Sequence, residues 1–450
     1  MRRLLPLALL TLAGCGERAP EGPIDVSVIG NVGELPSPVR APIDAATGLI
    51  LGSIAQGLVR LDATGQIEAG LAARWDVSDD GLYYTFRIAD GAPIDAEEAA
   101  RLLRRAIDRR SDNLLKPVLG AIEEIVAVTP EVIEIRLSAP RADMLQLLAA
   151  PEMALARRGE GGGPFRLEKR DGPRFRLLLP QTPATPDADA EPPPPKVVTV
   201  HAEWASKAVA RYVAGLGSLV TGGTFADLPL VAAAEVDARQ LRYDPVHGLF
   251  GLRVMRGSGW LGDPANRLRL SRAIDRARIA RLIGVPNLAP VAIAGGPPTA
   301  GAAPAPEEPL RIALPPGAGA RLLFRQLQAD WRRIGVAAEM TTLDDSTADI
   351  RLIDEVAPTE AEDWPIARFA CASSGAAPCS ADADSALDTA RTAPSPEARA
   401  QAIADARAAL DASGLFMGLT QPVRWSLVNP ALTGWQENAR GAHPLDQVGR

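Results

Sequence analysis

The side chains that most often do chemistry are sparse and scattered in this chain. Its three histidines, His201, His247 and His443, are far apart, with no His-Glu-x-x-His and no other regular metal spacing. Neither a Gly-x-Ser-x-Gly elbow nor a Ser-x-x-Lys occurs. His201-Ala202-Glu203 matches half of a zinc-deaminase signature, but the Pro-Cys-x-x-Cys half is missing. The acidic pairs Asp79-Asp80 and Glu97-Glu98 read as a turn and a helix start, where negative charge suits the helix dipole. With no catalytic set, aromatic and cationic side chains become the candidates, as walls of a cleft that closes on a ligand. In a chain only 4% aromatic, Trp260, Trp364 and Trp425 lie near predicted loops or chain crossings. Arg424 stands beside Trp425 as a candidate cation for a carboxylate. Each of these also has a plain reading as packing or surface, and Trp75 reads as core.

Several elements must position such residues. Asp25–Gly30 is predicted as a strand, and Asp44 opens a helix as its capping residue. From Gly57 to Arg87 two compact turns, Asp62–Gly65 and Ser78–Gly81, precede the alternating strand Tyr83–Arg87, which together read as a small sheet. A helix follows over Asp95–Arg110, then a hairpin of Ile122–Thr129 with Val132–Leu137, then a helix over Arg141–Ala150. The glycine run Gly159–Gly163 lacks the Lys-Ser/Thr and the helix of a phosphate loop and reads as a hinge. Pro180–Pro195 reads as an exposed loop with polyproline character. Beyond it, strands are expected at Lys196–His201, Gly217–Val220, Leu249–Val254, Leu310–Leu314 and Ala337–Leu343. Helices are expected at Trp204–Ala214, Asn266–Arg276, Ala320–Arg333 (with Gly335 as C-terminal cap) and Ser395–Ala412. Arg269, Arg272 and Asp275 fall on spacings that allow pairing along one helix face.

The N-terminus has a basic start and an apolar run, Leu4–Leu12, too short to span a bilayer. Leu12-Ala13-Gly14-Cys15 resembles the bacterial lipobox, which implies cleavage before a lipidated Cys15 and a lipid anchor to the membrane. With Cys15 lipidated, Cys371 and Cys379 remain as a pair in an oxidising compartment, which favours a disulfide over free thiols. A metal site is the sharper alternative, though no His or third Cys lies near them in sequence. The 450 residues are 47% hydrophobic, enough for two or three domains, and carry a net charge of -7, which disfavours nucleic-acid binding.

The order of these motifs resembles the extracellular solute-binding proteins, family 5, of peptide, nickel and opine ABC importers. The resemblance rests on Gly57-Leu58-Val59, the Leu-Ala-Ala-Arg-Trp ending at Trp75, Ser78-Asp79-Asp80-Gly81 with its aromatic strand, and Gly161-Gly162-Gly163-Pro164-Phe165. It continues in Asn266–Arg276, Ile334-Gly335-Val336, Asp382–Arg391 and Phe416–Val428. It implies an α/β, periplasmic-binding-protein-like (type II, cluster C) two-lobe fold with an extra small α+β domain. The corresponding division is a signal peptide (1–14), a tether (15–23), lobe I (24–45, 151–235 and 426–450), an accessory domain (46–150) and lobe II (236–425).

The implied function is capture of a peptide-like or other small solute and its delivery to ABC permease subunits, by a monomer without enzymatic activity or cofactor. The location implied is the periplasmic side of a bacterial membrane, with the outer membrane favoured because Gly16 is not Asp. Where peptide-binding relatives carry Trp-x-x-Asp-Tyr, this chain reads Asp363-Trp364-Pro365-Ile366-Ala367-Arg368-Phe369. Arg368 thus stands where an amine-binding Asp is expected, which adds Trp364 and Arg368 to the ligand contacts and leaves anionic solutes open. The missing Asn-x-x-Tyr-Trp segment and shortened second lobe keep a second reading alive, an envelope structural or interaction lipoprotein that has lost transport.

Overall fold

The computed structural model describes residues 23–33, 43–108, 110–156, 161–181, 194–292 and 304–449. The leader, Cys15, the tether and most of the Pro-rich stretches 180–195 and 295–309 lie outside the described residues.

The chain opens with β1 (Ile24–Ile29) and α1 (Ala45–Ile54), whose Asp44 caps the helix by accepting from the Thr47 N–H at 2.7 Å. A small unit follows: β2 (Val59–Leu61), β3 (Ile67–Ala69), β4 (Ala72–Val77), β5 (Tyr83–Ile88), α2 (Ala96–Ile107), β6 (Ile122–Thr129), β7 (Val132–Leu137) and α3 (Met144–Leu148). β5 alternates as its sequence predicts, burying Tyr84, Phe86 and Ile88. Its neighbours complete an antiparallel sheet in the order β4-β5-β7-β6. α2 lays Ala99, Leu102, Leu103 and Ala106 on that sheet; Glu97 and Glu98 occupy its first turn, Arg104 and Arg105 its last, both matching the helix dipole.

The chain then returns through β8 (Arg166–Asp171), β9 (Arg174–Leu179), β10 (Lys196–Glu203), α4 (Ala205–Val213), β11 (Leu219–Gly223), α5 (Leu228–Ala233) and β12 (Leu241–Tyr243). Next come β13 (Gly248–Val254), α6 (Pro264–Ala273), α7 (Arg276–Ile283), β14 (Leu310–Leu314), α8 (Ala318–Arg332), β15 (Ala338–Thr342), β16 (Ile350–Val356), α9 (Trp364–Ala367), α10 (Ala381–Arg391), α11 (Pro396–Ser413), β17 (Phe416–Thr420) and β18 (Trp425–Val428). Two sheets define two lobes. Lobe I holds seven strands in the order β12-β18-β11-β1-β10-β9-β8, and lobe II holds five in the order β15-β14-β16-β13-β17. β1 and β10 pair in parallel and bury most of their side chains, as central strands covered on both faces should.

The boundaries differ from the sequence division in three places. α1 belongs to lobe I, because Ala46, Ile50 and Ile54 pack with Val26 and Val28 in its core. The passage to lobe II falls after β12, since Leu241, Arg242 and Tyr243 pair with β18 in the lobe I sheet. Trp425 also opens a lobe I strand.

The glycine run has a concrete task. The N–H groups of Gly161 and Gly163 donate to the Ile54 carbonyl, and that of Phe165 to the Ser53 carbonyl, so the run satisfies the orphan carbonyls that end α1. A Cβ at Gly163 would lie 2.4 Å from the Ile54 carbonyl carbon, so only glycine lets the segment approach. One predicted helix is broken: Asn266–Arg276 splits because Ile274 is extended and Asp275 caps a new helix by accepting from the Arg278 N–H at 2.9 Å. Asp275 therefore serves α7 and not a charge ladder along α6. The Leu-Ala-Ala-Arg-Trp segment is a strand, and Trp75 in it is half-buried against the core.

Candidate functional site

Two chain crossings join the lobes, Asp244–His247 and Gln421–Arg424. They are tied to each other by the Asp244 N–H donating to the Arg424 carbonyl at 3.1 Å and the Gly248 N–H donating to Gln421 Oε1 at 3.1 Å. Two extended crossings with few bonds between them are the geometry of a hinge. Asp244 is itself fixed by the C-terminal tail: buried His443 meets its Oδ2 at 3.1 Å and the Asn438 N–H donates to its Oδ1.

The lobes meet along a seam. The Gly319 N–H of α8 donates to the Ala226 carbonyl of lobe I at 2.9 Å, and Phe225 packs edge-on against Phe250 with ring centroids 4.7 Å apart. Further along, Arg440 reaches from the lobe I tail into lobe II. Its Nη1 donates to the Ala357 carbonyl at 3.0 Å, just beyond β16, while Nη2 lies 3.0 Å from Glu360 and 3.5 Å from Gln146 of α3. Arg440 thus stands where both lobes and the accessory unit meet. The accessory unit also grips lobe II through Arg141, whose Nη1 and Nη2 lie 3.2 and 3.3 Å from the Asp363 carboxylate and whose Nε holds Asp143 at 2.9 Å. Glu152 sits on the 3-10 turn Pro151–Met153 that follows α3. Its carboxyl is pushed up by burial and by the charge of Glu355 in lobe II.

The residues expected from sequence are not gathered in one wall. Arg424 pairs with Asp354 at 2.8 Å and also donates to the Asp354 carbonyl, pinning the second crossing to lobe II. Trp425 is only 1% exposed. Its indole N–H donates to the Thr224 carbonyl at 2.9 Å, and its ring lies on Gly223, where a Cβ would come within 2.1 Å. In this arrangement of the lobes that ring has no face to offer a solute, which corrects its place among the ligand contacts. Trp364 is buried at the start of α9. Arg368 makes a two-pronged bond to Glu355 at 2.6 and 2.7 Å, so its charge is already matched. Trp260 is half-buried on a 3-10 turn and donates its indole N–H to the Pro304 carbonyl at 2.7 Å.

Cys371 and Cys379 form a disulfide, with Cα atoms 5.0 Å apart. His201 faces Asp25 at 3.0 Å, and Glu203 accepts from Ser27 and Arg211, so the deaminase-like fragment is engaged in structural bonds. Among the described residues no group of three His, Cys, Asp or Glu side chains is arranged to hold a metal.

The contacts of Arg440 with Ala357 and Glu360 and of Arg141 with Asp363 escaped the sequence reading. No local pattern links Arg440 to Ala357, 83 positions away, or Arg141 to Asp363, 222 positions away.

Two lobes joined by paired crossings, with an accessory α+β unit on lobe I, define the type II periplasmic-binding-protein class. The chain belongs to the bacterial extracellular solute-binding proteins, family 5, whose model, described as the family's Middle region, matches residues 66–323. It is similar to the nickel-binding periplasmic protein of Escherichia coli strain K12, 32% identical over 100 residues, covering 21% of this chain and 19% of that one. It is also similar to the glutathione-binding protein GsiB of Escherichia coli O1:K1, 31% identical over 157 residues, covering 34% and 30%. The chain thus spans less than a third of the length of these curated relatives. Among solved structures, the Escherichia coli murein tripeptide binding protein MppA matches 94% of this chain and 97% of its own with a TM-score of 0.80 at 16% identity. The unliganded open form of MppA matches less well, with a TM-score of 0.62 over 94% and 96%.

Proposed function

We propose that this chain is the substrate-binding component of an ABC importer, anchored through a lipid on Cys15 at the periplasmic side of the membrane, the outer membrane being favoured. It captures a peptide-like or other small solute between its lobes and delivers it to permease subunits, acting as a monomer and performing no chemistry. The observation that carries this reading is the seam: a two-crossing hinge closed by side chains that reach from one lobe to the other, above all Arg440 on the Ala357 carbonyl. A closable pair of lobes is what capture requires. The names of the relatives, which bind nickel, glutathione and a murein tripeptide, support a small polar solute. No helix among the described residues is long and apolar enough to cross a membrane.

Within this reading the solute contacts centre on Arg440, Glu360 and the Ala357 carbonyl. Arg424, Arg368 and Trp364 hold the lobe II wall behind them. Trp260 lies on the same lobe as an outlying contact.

The test is a thermal-shift panel of the mature protein with short peptides, opines, sugar acids and metal chelates. A cognate solute at a hundred times its Kd adds about 2.7 kcal/mol to stability and raises the melting temperature. Absence of stabilisation by every class, together with unchanged small-angle scattering, would count decisively against capture. Metabolic labelling with palmitate that survives in Cys15→Ala would overturn the anchor.

A further inference from the structure

One face of lobe II carries more positive charge than its neighbours balance. Arg253 on β13 and Arg351 on β16 stand directly opposite each other in the antiparallel ladder, so their side chains leave the same face. Like charges in that position repel and destabilise a sheet. Arg253 is only 7% exposed. It donates through Nη2 to Ser374 Oγ at 2.9 Å and lies 5.2 Å from the centre of the Phe369 ring, while its Nε is buried without a partner. The Arg351 side chain makes no hydrogen bond or ion pair among the described residues, and its Nε is also buried and unmatched.

Arg368 approaches the same place from α9, close enough that its charge, after burial, depresses the Arg253 guanidinium to about 10. At neutral pH Arg253 remains protonated. The one acid acting on this group is Glu355, and both of its oxygens are taken by Arg368. Glu355 is thus left to balance Arg253 and Arg351 only after it has paired with Arg368.

We propose that Arg253 and Arg351, beside the Glu355-bound Arg368, form a binding site for a small oxyanion, a phosphate or carboxylate group. It lies under the segment leading into the Cys371–Cys379 loop. The site is distinct from the interlobe seam: Arg253 is five residues along β13 from the hinge end at Gly248, roughly 17 Å at about 3.4 Å per residue. The planar guanidinium forks supply paired N–H donors of the kind that oxyanions accept, and Ser374 steadies one of them. The partly exposed Arg351 is the side by which an ion arrives.

The experiment compares wild type with Arg351→Gln, titrating inorganic phosphate and, in a second arm, acetate, each against sodium chloride at matched ionic strength. Wild type should gain melting temperature with at least one oxyanion, and the arms identify which group is preferred. Calorimetry should show affinity at least tenfold weaker in the variant. In oxyanion-free buffer Arg351→Gln should be as stable as wild type or more so, because a repulsion is removed. Identical responses of the two proteins, or no response of wild type beyond the chloride control, would overturn the site. Should the variant fold poorly, phenylglyoxal labelling of wild type gives the answer: phosphate or acetate must protect Arg351, and equal labelling with and without them refutes the proposal. The readouts use no transported solute, so failure here leaves the capture reading untouched.

Discussion

Arg440→Ala is the sharpest perturbation of the seam. A hydrogen bond from a charged donor contributes about 1.5–3 kcal/mol, and the Arg440 side chain that donates to the Ala357 carbonyl is only 10% exposed. Its ion pair with Glu360 adds little, about 0–1 kcal/mol, because Glu360 is 60% exposed. Truncation should therefore weaken the closed arrangement by about 2–3 kcal/mol, lowering the ratio of closed to open forms roughly 30- to 150-fold at about 1.4 kcal/mol per decade. Hydrogen exchange reads this ratio directly at the Gly319 amide, whose partner is the Ala226 carbonyl across the seam. The amide should exchange faster by that factor in Arg440→Ala. Glu360→Gln, which removes only the exposed pair, should change exchange less than tenfold. Wild-type exchange in Arg440→Ala would refute Arg440 as the bond that holds the lobes together.

Other substitutions probe other links. Glu152→Gln should raise the melting temperature at pH 7: the folded-state acid is raised, so its stabilising contribution exists only while it is protonated and is lost as pH rises. The gain should vanish below the ordinary glutamate range of about 4.3, and a pH-independent effect would exclude a titrating Glu152. Gly223→Ala places a methyl 2.1 Å from the Trp425 ring. It should cost about 1–3 kcal/mol in chemical denaturation, and full stability would mean the indole moves freely. Replacing Cys371 and Cys379 by Ser opens a short loop whose closure is worth about 2.5 kcal/mol on a chain-entropy basis. The variant should melt lower than wild type, and reductant should lower wild type to match.

Local signals were readable in the chain where the cause was local. Asp44, Asp95 and Ser395 cap their helices by accepting from N–H groups three residues on, and such spacing is visible without a fold. β16 was hidden for the opposite reason. Its Arg351, Asp354 and Glu355 break the apolar alternation, because one face meets Arg424 at the hinge and the other carries the arginine cluster. Trp425 shows how rarity misleads: scarcity of aromatics made it a cleft candidate, yet an indole that finds a carbonyl partner packs well in a core.

The seam also constrains how a solute can act. Arg440 and Arg141 pair with lobe II carboxylates in the closed arrangement, so their charges are matched within the protein itself. A ligand shifts an equilibrium only by its differential affinity for the two states. A solute that merely repeats the Arg440 bond to Ala357 gains nothing from closure, since it displaces an equal partner. A solute that leaves Arg440 in place and adds contacts to Glu152 or to both crossings gains in the closed state alone. Solute affinity should therefore fall in Arg440→Ala only as far as the closed fraction falls, by less than the factor by which the Gly319 amide accelerates, and a solute whose affinity rises instead must compete with Arg440 for the Ala357 carbonyl.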